Sequence, residues 1–167
     1  LKRHWKIHDN IRVESYHALS NDRELLETMK PDLIISDECH KLSKIQSART
    51  KRFLRYIDAN PDTKFIGLSG TVSRKSIKDF WHLLLAALKT NAPIPLKWNE
   101  MNDWAMALDY GVRDHERYET GALKRFCEMQ ASDLEHFSRE DLLAVCRDGY
   151  RQRLTETPGV VATSDEG

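Results

Sequence analysis

Two adjacent carboxylates, Asp37 and Glu38, with His40 two residues further on, stand at the end of the apolar run Leu33-Ile34-Ile35-Ser36. A run that is continuous, not alternating, predicts a parallel strand covered on both faces. Open α/β sheets place their ligands at the carboxyl ends of such strands. Paired acids at that point suit nucleotide hydrolysis. Asp37 is expected to hold Mg²⁺ through water, because magnesium keeps part of its hydration shell. Glu38, directed elsewhere, is expected to polarise the attacking water. The plainer reading is that Asp-Glu-x-His arises by chance and Asp37 only caps the next helix.

A second signal follows about thirty residues on, where Phe65-Ile66-Gly67-Leu68 ends in Ser69-Gly70-Thr71. Small hydroxyl residues and a glycine let backbone pass close to a neighbouring site. Their hydroxyls could bond to a group such as His40 that must sense nucleotide state. The competing reading is an ordinary strand-to-helix turn capped by Ser69 or Thr71.

These residues need elements to carry them. Three strands are expected: Ile11 to Tyr16, Leu33 to Ser36 and Phe65 to Leu68. Leu33 to Ser36 is expected in the interior, flanked by one of the other two. Helical patterns cover Asp22 to Met29, with Ser20 or Asn21 as N-cap, and Gln46 to Ala59, which places Phe53, Leu54 and Ile57 together. Alternating strand and helix argues for an open parallel α/β sheet. After Thr71 the pattern turns helical: Ser76 to Leu88, Asn99 to Tyr110, Ala122 to Ala131, and Arg139 to Leu154 behind Ser138. Ala92-Pro93-Ile94-Pro95 breaks the first of these from the second. Trp81 and Trp104 fall on apolar helical faces, which favours core packing over base stacking. The tail from Ala162 is small and polar.

Composition narrows the classes. The chain has 167 residues, enough for one domain with a core and too few for two full ones. Its 26 basic and 26 acidic residues balance, whereas nucleic-acid binders are usually more basic. The charges are unevenly spread. Lys41, Lys44, Arg49, Lys51, Arg52 and Arg55 form a basic run that is either a nucleic-acid contact or a solvated helix face, while 114–141 is richer in acids. Cys39, Cys127 and Cys146 lie far apart, which points away from disulfides. No apolar run reaches the ~18 residues of a membrane span, and Leu1 to Trp5 is no signal peptide. The expected location is therefore cytoplasmic or nucleoid-associated, with no membrane partner.

Asp-Glu-Cys-His at 37–40 resembles motif II of superfamily 2 DEAD/DEAH-like helicases, and Leu68-Ser69-Gly70-Thr71 resembles their motif III. The surroundings look like the Swi/Snf-type translocase branch. Val13-Glu14-Ser15-Tyr16-His17 sits where that branch has a strand ending in Thr-Tyr, and Lys41 to Ser47 where it has a Lys/Asn-rich loop and a serine. Val72 stands where its motif III has a proline. The resemblance covers roughly residues 5 to 90. It implies a RecA-like P-loop NTPase fold, a parallel sheet with flanking helices, followed here by a mostly helical segment. It also implies ATP and Mg²⁺ as cofactors, with Asp37, Glu38 and His40 catalytic and Ser69, Gly70 and Thr71 coupling. Ser15, Tyr16, Lys41 and Lys44 are the nucleic-acid-binding candidates. The implied partners are nucleic acid, double-stranded DNA before RNA, and a second RecA-like lobe.

No G-x-x-x-x-G-K-[ST] occurs in the sequence. Gly70 to Ser76 lacks the second glycine and follows motif II, so it is rejected as a phosphate loop. The expected layout is part of the first helicase lobe over 1–90 without the phosphate loop, a helical extension or insertion over 91–157, and the start of a linker or second lobe over 158–167. On that layout the chain, which opens on Leu1 without a Met, is a fragment and inactive alone. The alternatives are a non-catalytic RecA-like module that binds nucleic acid or protein, and a metal-dependent nuclease using Asp37 and Glu38.

Overall fold

The computed structural model describes residues 10–70, 76–109 and 138–161. Thr71, the proposed helix from Ala122 to Ala131, Cys127, the acid-rich stretch up to residue 137 and the tail from Ala162 lie outside the described residues. So do most of the rejected loop and Tyr110; the helix expected to reach Tyr110 ends at Leu108, with Asp109 extended.

The order is α1 (Tyr16–Asn21), α2 (Leu25–Met29), β1 (Leu33–Ser36), a 3-10 turn (Cys39–Leu42), α3 (Ala48–Ala59) and β2 (Lys64–Gly67). A second 3-10 turn (Ile77–Asp79), α4 (Trp81–Leu88), a third (Lys89–Asn91), α5 (Trp98–Leu108) and α6 (Arg139–Thr155) follow. The strands are parallel, with Ile34 opposite Phe65 and Ile35 opposite Ile66. The fold class is α/β, a parallel two-stranded sheet with flanking helices.

Parallel pairing requires a crossover, and α3 supplies it. Ser47 caps α3, its Oγ accepting from the Thr50 amide at 3.4 Å. The helix buries Thr50, Phe53, Tyr56 and Ile57, a stripe at helical spacing. Phe53 meets Phe65 of β2 with ring centroids 4.7 Å apart. That contact clamps the helix to one face of the sheet. The cluster of buried side chains runs on from Phe65 and Leu42 through Ile77, Phe80 and Leu83 to Met101, Trp104, Leu143 and Tyr150. The helical segment therefore shares one core with the sheet layer. Ser138 caps α6 as expected, accepting from the Asp141 amide at 3.2 Å.

Three expectations need correction. Ile11 to Tyr16 is not a strand: Ile11 and Val13 are exposed, and Ser15 caps α1, its Oγ accepting from the Ala18 amide at 3.0 Å. A strand exists only by pairing its amides and carbonyls, and no described residue pairs with this segment. Ser20 and Asn21, read as the cap of the next helix, instead lie in the last residues of α1, and α2 begins only at Leu25. Nor is β1 interior among the described residues: β2 is its one partner there, and its face bearing Leu33 and Ile35 is bare.

The tryptophans pack as their spacing foretold. Trp104 is buried edge-on against Tyr150, with centroids 5.3 Å apart. Trp81 donates its indole N–H to the Pro95 carbonyl at 2.6 Å. Of the basic run, Arg52 and Arg55 are engaged internally. Arg52 donates to the carbonyls of Leu19 and Asp22, and Arg55 pairs with Glu27 while donating to the Arg23 carbonyl. These two arginines tie α1 and α2 to α3, as a guanidinium with several donors can.

Candidate active site

At the carboxyl end of β1 the chain turns sharply. Ser36 is buried, Asp37 and Glu38 are exposed, and Cys39 dives back into the core. Glu38 takes the left-handed conformation, φ 53° and ψ 49°, which a residue with a Cβ adopts reluctantly. The end of β2 holds this turn from one side. The Leu68 amide donates to the Ser36 carbonyl at 2.9 Å, and the Cys39 amide to the Leu68 carbonyl at 2.8 Å. Gly67 permits the approach, since a Cβ there would stand 3.1 Å from Cys39 Sγ. Burial pushes the Cys39 thiol up, which keeps it protonated and makes it a packing group.

Tyr16 holds the same turn from the other side, its hydroxyl donating to the Asp37 carbonyl at 2.7 Å. Burial pushes this phenol up; the Ser36 side chain and the nearby Arg49 act in the opposite direction. Further along, the Leu42 carbonyl accepts from Thr50 Oγ1 at 3.1 Å and from His82 Nε2 at 2.8 Å. A carbonyl only accepts, so His82 carries its proton on Nε2. Burial pulls the His82 pKa down and keeps the ring neutral. His82 and Thr50 thus bolt the turn after His40 to α4 and α3.

The structure gathers most of the expected site residues. Glu38 Oε2 lies 3.0 Å from His40 Nδ1, and the same nitrogen lies 3.3 Å from Ser69 Oγ. A carboxylate only accepts, so at this contact Nδ1 bears the proton and the Ser69 hydroxyl is a second acceptor. Gly70 follows, exposed. Thr71 lies outside the described residues. The Asp37 carboxylate has no hydrogen bond or ion pair among the described residues, so it does not act as a helix cap. Lys41 and Lys44 are exposed beside the turn. Ser15 and Tyr16, by contrast, spend their hydroxyls inside the fold.

An Mg²⁺ fits this end of the sheet. Among the described residues no group of three His, Cys, Asp or Glu could cage a metal. One unpaired carboxylate, Asp37, suits an ion that keeps its waters and takes other oxygens from phosphates. Sequence reasoning missed Tyr16 as a support of the turn, and also Thr50 and His82. A tyrosine and a histidine that far from the acids carry no spacing signal. Only the Ser-x-x-Thr at the start of α3 could have hinted at a cap.

The fold and the site define an arrangement: an α/β parallel sheet with Asp37 and Glu38 at the end of one strand and the Ser69 hydroxyl beyond the end of the next. Residues 2–74, less than half of the chain, match the family described as type III restriction enzyme, res subunit. This is a helicase-like ATPase family of superfamily 2, and the segment is similar to ATP-dependent nucleic-acid enzymes. The match does not support the Swi/Snf-type branch that Val13 to His17 suggested. No curated protein and no solved structure matches the chain. Among the described residues, no helix is long and apolar enough to cross a membrane.

Proposed function

We propose that this chain supplies the motif II and motif III part of an ATP-hydrolysing translocase that moves on nucleic acid, with double-stranded DNA as the track. Residues 1–90 are its share of the first RecA-like lobe, 91–157 a helical extension, and 158–167 a link to a second lobe. A phosphate loop from outside these residues completes the site. The observation that carries the reading is the contact of Glu38 with His40 and of His40 with Ser69, across two parallel strand ends, beside Asp37, whose carboxylate has no partner among the described residues.

In this reading Asp37 holds Mg²⁺ on nucleotide phosphates, and the bound ion neutralises phosphate charge. Glu38 orients and polarises the attacking water. His40, bonded to Glu38 and to Ser69, reports that carboxylate's position to the end of β2. Ser69, with Gly70 and Thr71, thereby biases how this lobe meets its partner, a two-state element of the kind a motor requires. Lys41 and Lys44 contact backbone phosphates, where each neutralised charge adds salt-dependent affinity.

The test is Glu38→Gln in the intact enzyme. ATP and Mg²⁺ should still bind, while turnover slows by ~10² or more, as on loss of a general base. Unchanged hydrolysis would remove Glu38 from the chemistry and end this reading.

A further inference from the structure

Glu38 is one of three non-glycine residues with positive φ among the described residues, and the only acidic one. Its side chain makes no cap; locally its carbonyl accepts from the Lys41 amide at 2.9 Å and its carboxylate lies 3.0 Å from His40 Nδ1. Residues distant in sequence also hold the peptide joining Asp37 to Glu38. On the β2 side the hold is backbone, through Leu68. On the other side it is a single side chain. The Tyr16 hydroxyl donates to the carbonyl of that very peptide, and its ring is half-buried against the core.

We propose that Tyr16 is a positioning residue for Glu38: its hydroxyl fixes the Asp37 carbonyl, and through it the left-handed turn that presents the Glu38 carboxylate to His40. The proposal rests on the reading of Glu38 as the water-polarising group. It also gives α1 a task beyond scaffolding. Tyr16 is the first residue of α1, and Arg52 ties the other end of that helix to α3 through the Leu19 and Asp22 carbonyls. A displacement of α1 would be felt at the Asp37–Glu38 peptide through one hydrogen bond.

The experiment is a double-mutant cycle in the intact enzyme with Tyr16→Phe and Glu38→Gln, run where circular dichroism shows all four proteins folded. Tyr16→Phe keeps the ring and removes the hydroxyl, and with it the bonds to the Asp37 carbonyl and the Ser36 side chain. It should lower kcat roughly 3- to 10-fold, the effect of one hydrogen bond, with KM for ATP changed less than about 2-fold. In the Glu38→Gln background the same change should do almost nothing, because Tyr16 acts through Glu38. Equal loss in both backgrounds, an unchanged kcat, or a shift confined to KM would overturn the proposal. A Glu38→Gln enzyme that hydrolyses normally would instead remove the reading beneath it.

Discussion

The residues that matter most here are distinguished by what they lack or how they are held. The Asp37 carboxylate has no hydrogen-bond or ion-pair partner among the described residues, while its neighbour Glu38 is drawn to His40. That asymmetry separates their expected losses. Asp37→Ala in the intact enzyme should weaken Mg·ATP binding by about 10- to 100-fold, the scale on which metal sites respond to a lost supporting residue. Titration with a fluorescent nucleotide reads it directly, and unchanged affinity would move the metal elsewhere. His82 makes a different prediction. Its ordinary pKa is near 6.5 and burial lowers it in the fold. The unfolded chain then binds a proton that the folded chain refuses, so stability is complete above pH 6.5 and is lost as pH falls toward the lowered value. His82→Gln keeps a donor for the Leu42 carbonyl and cannot titrate. Its melting temperature should fall less steeply than that of the wild type between neutral pH and the acid range. Parallel curves would mean that His82 is not the group responsible.

At the scale of elements, the two strands and the long helices were legible because their signals are local. Leu33 to Ser36 is a strand as read, and the second lies one residue earlier than expected, at Lys64 to Gly67. Apolar runs behind Pro31-Asp32 and Asn60-Pro61-Asp62 leave few other options. The start of α6 followed from Ser138, whose cap needs only three following residues, whereas α3, read as starting at Gln46, begins at Ala48 behind the Ser47 cap. The segment from Ile11 to Tyr16 was misread because a strand is not a local object. Its β-branched residues are compatible with pairing, but among the described residues none pairs with it, and the Ser15 cap then wins. The turn that presents Glu38 was equally invisible, since Gly67, Cys39 and Tyr16 are distant in sequence. Gly67 supplies the test of this element. Alanine there gains roughly 0.5–1 kcal/mol by restricting the unfolded chain. It loses about 1–3 kcal/mol by crowding Cys39. The second effect should win, so Gly67→Ala should lower the denaturant midpoint by an amount near 1 kcal/mol. With Cys39→Ala the penalty should shrink or reverse. An equal penalty in both backgrounds would show that the contact does not limit the turn.

Among the described residues the sheet has one covered face and one bare one, and this is where core and surface disagree. Ile34 and Phe65 face α3 and join the buried cluster that continues through to α6. On the opposite face Leu33, Ile35, Ile66 and Leu68 are 44%, 59%, 44% and 50% exposed. A continuous apolar run reads as a strand covered on both sides, and half of that reading is met by the described residues. On the proposed function, neighbouring elements of the assembled motor would cover the apolar side chains of the other face. Contiguous apolar patches of this kind on a free protein drive association, and unpaired strand edges add to it. The purified chain of residues 1–167 should accordingly self-associate with rising concentration in sedimentation velocity. Ile35 and Ile66 are cross-strand neighbours at the middle of the bare face. Ile35→Lys combined with Ile66→Glu places opposite charges side by side there and leaves the α3 face untouched. That variant should sediment as a monomer while keeping the wild-type circular dichroism and melting temperature to within a few degrees. If the wild type is already monomeric at high concentration, residues outside those described cover the face. If the double variant unfolds, the face is part of the core of the chain itself.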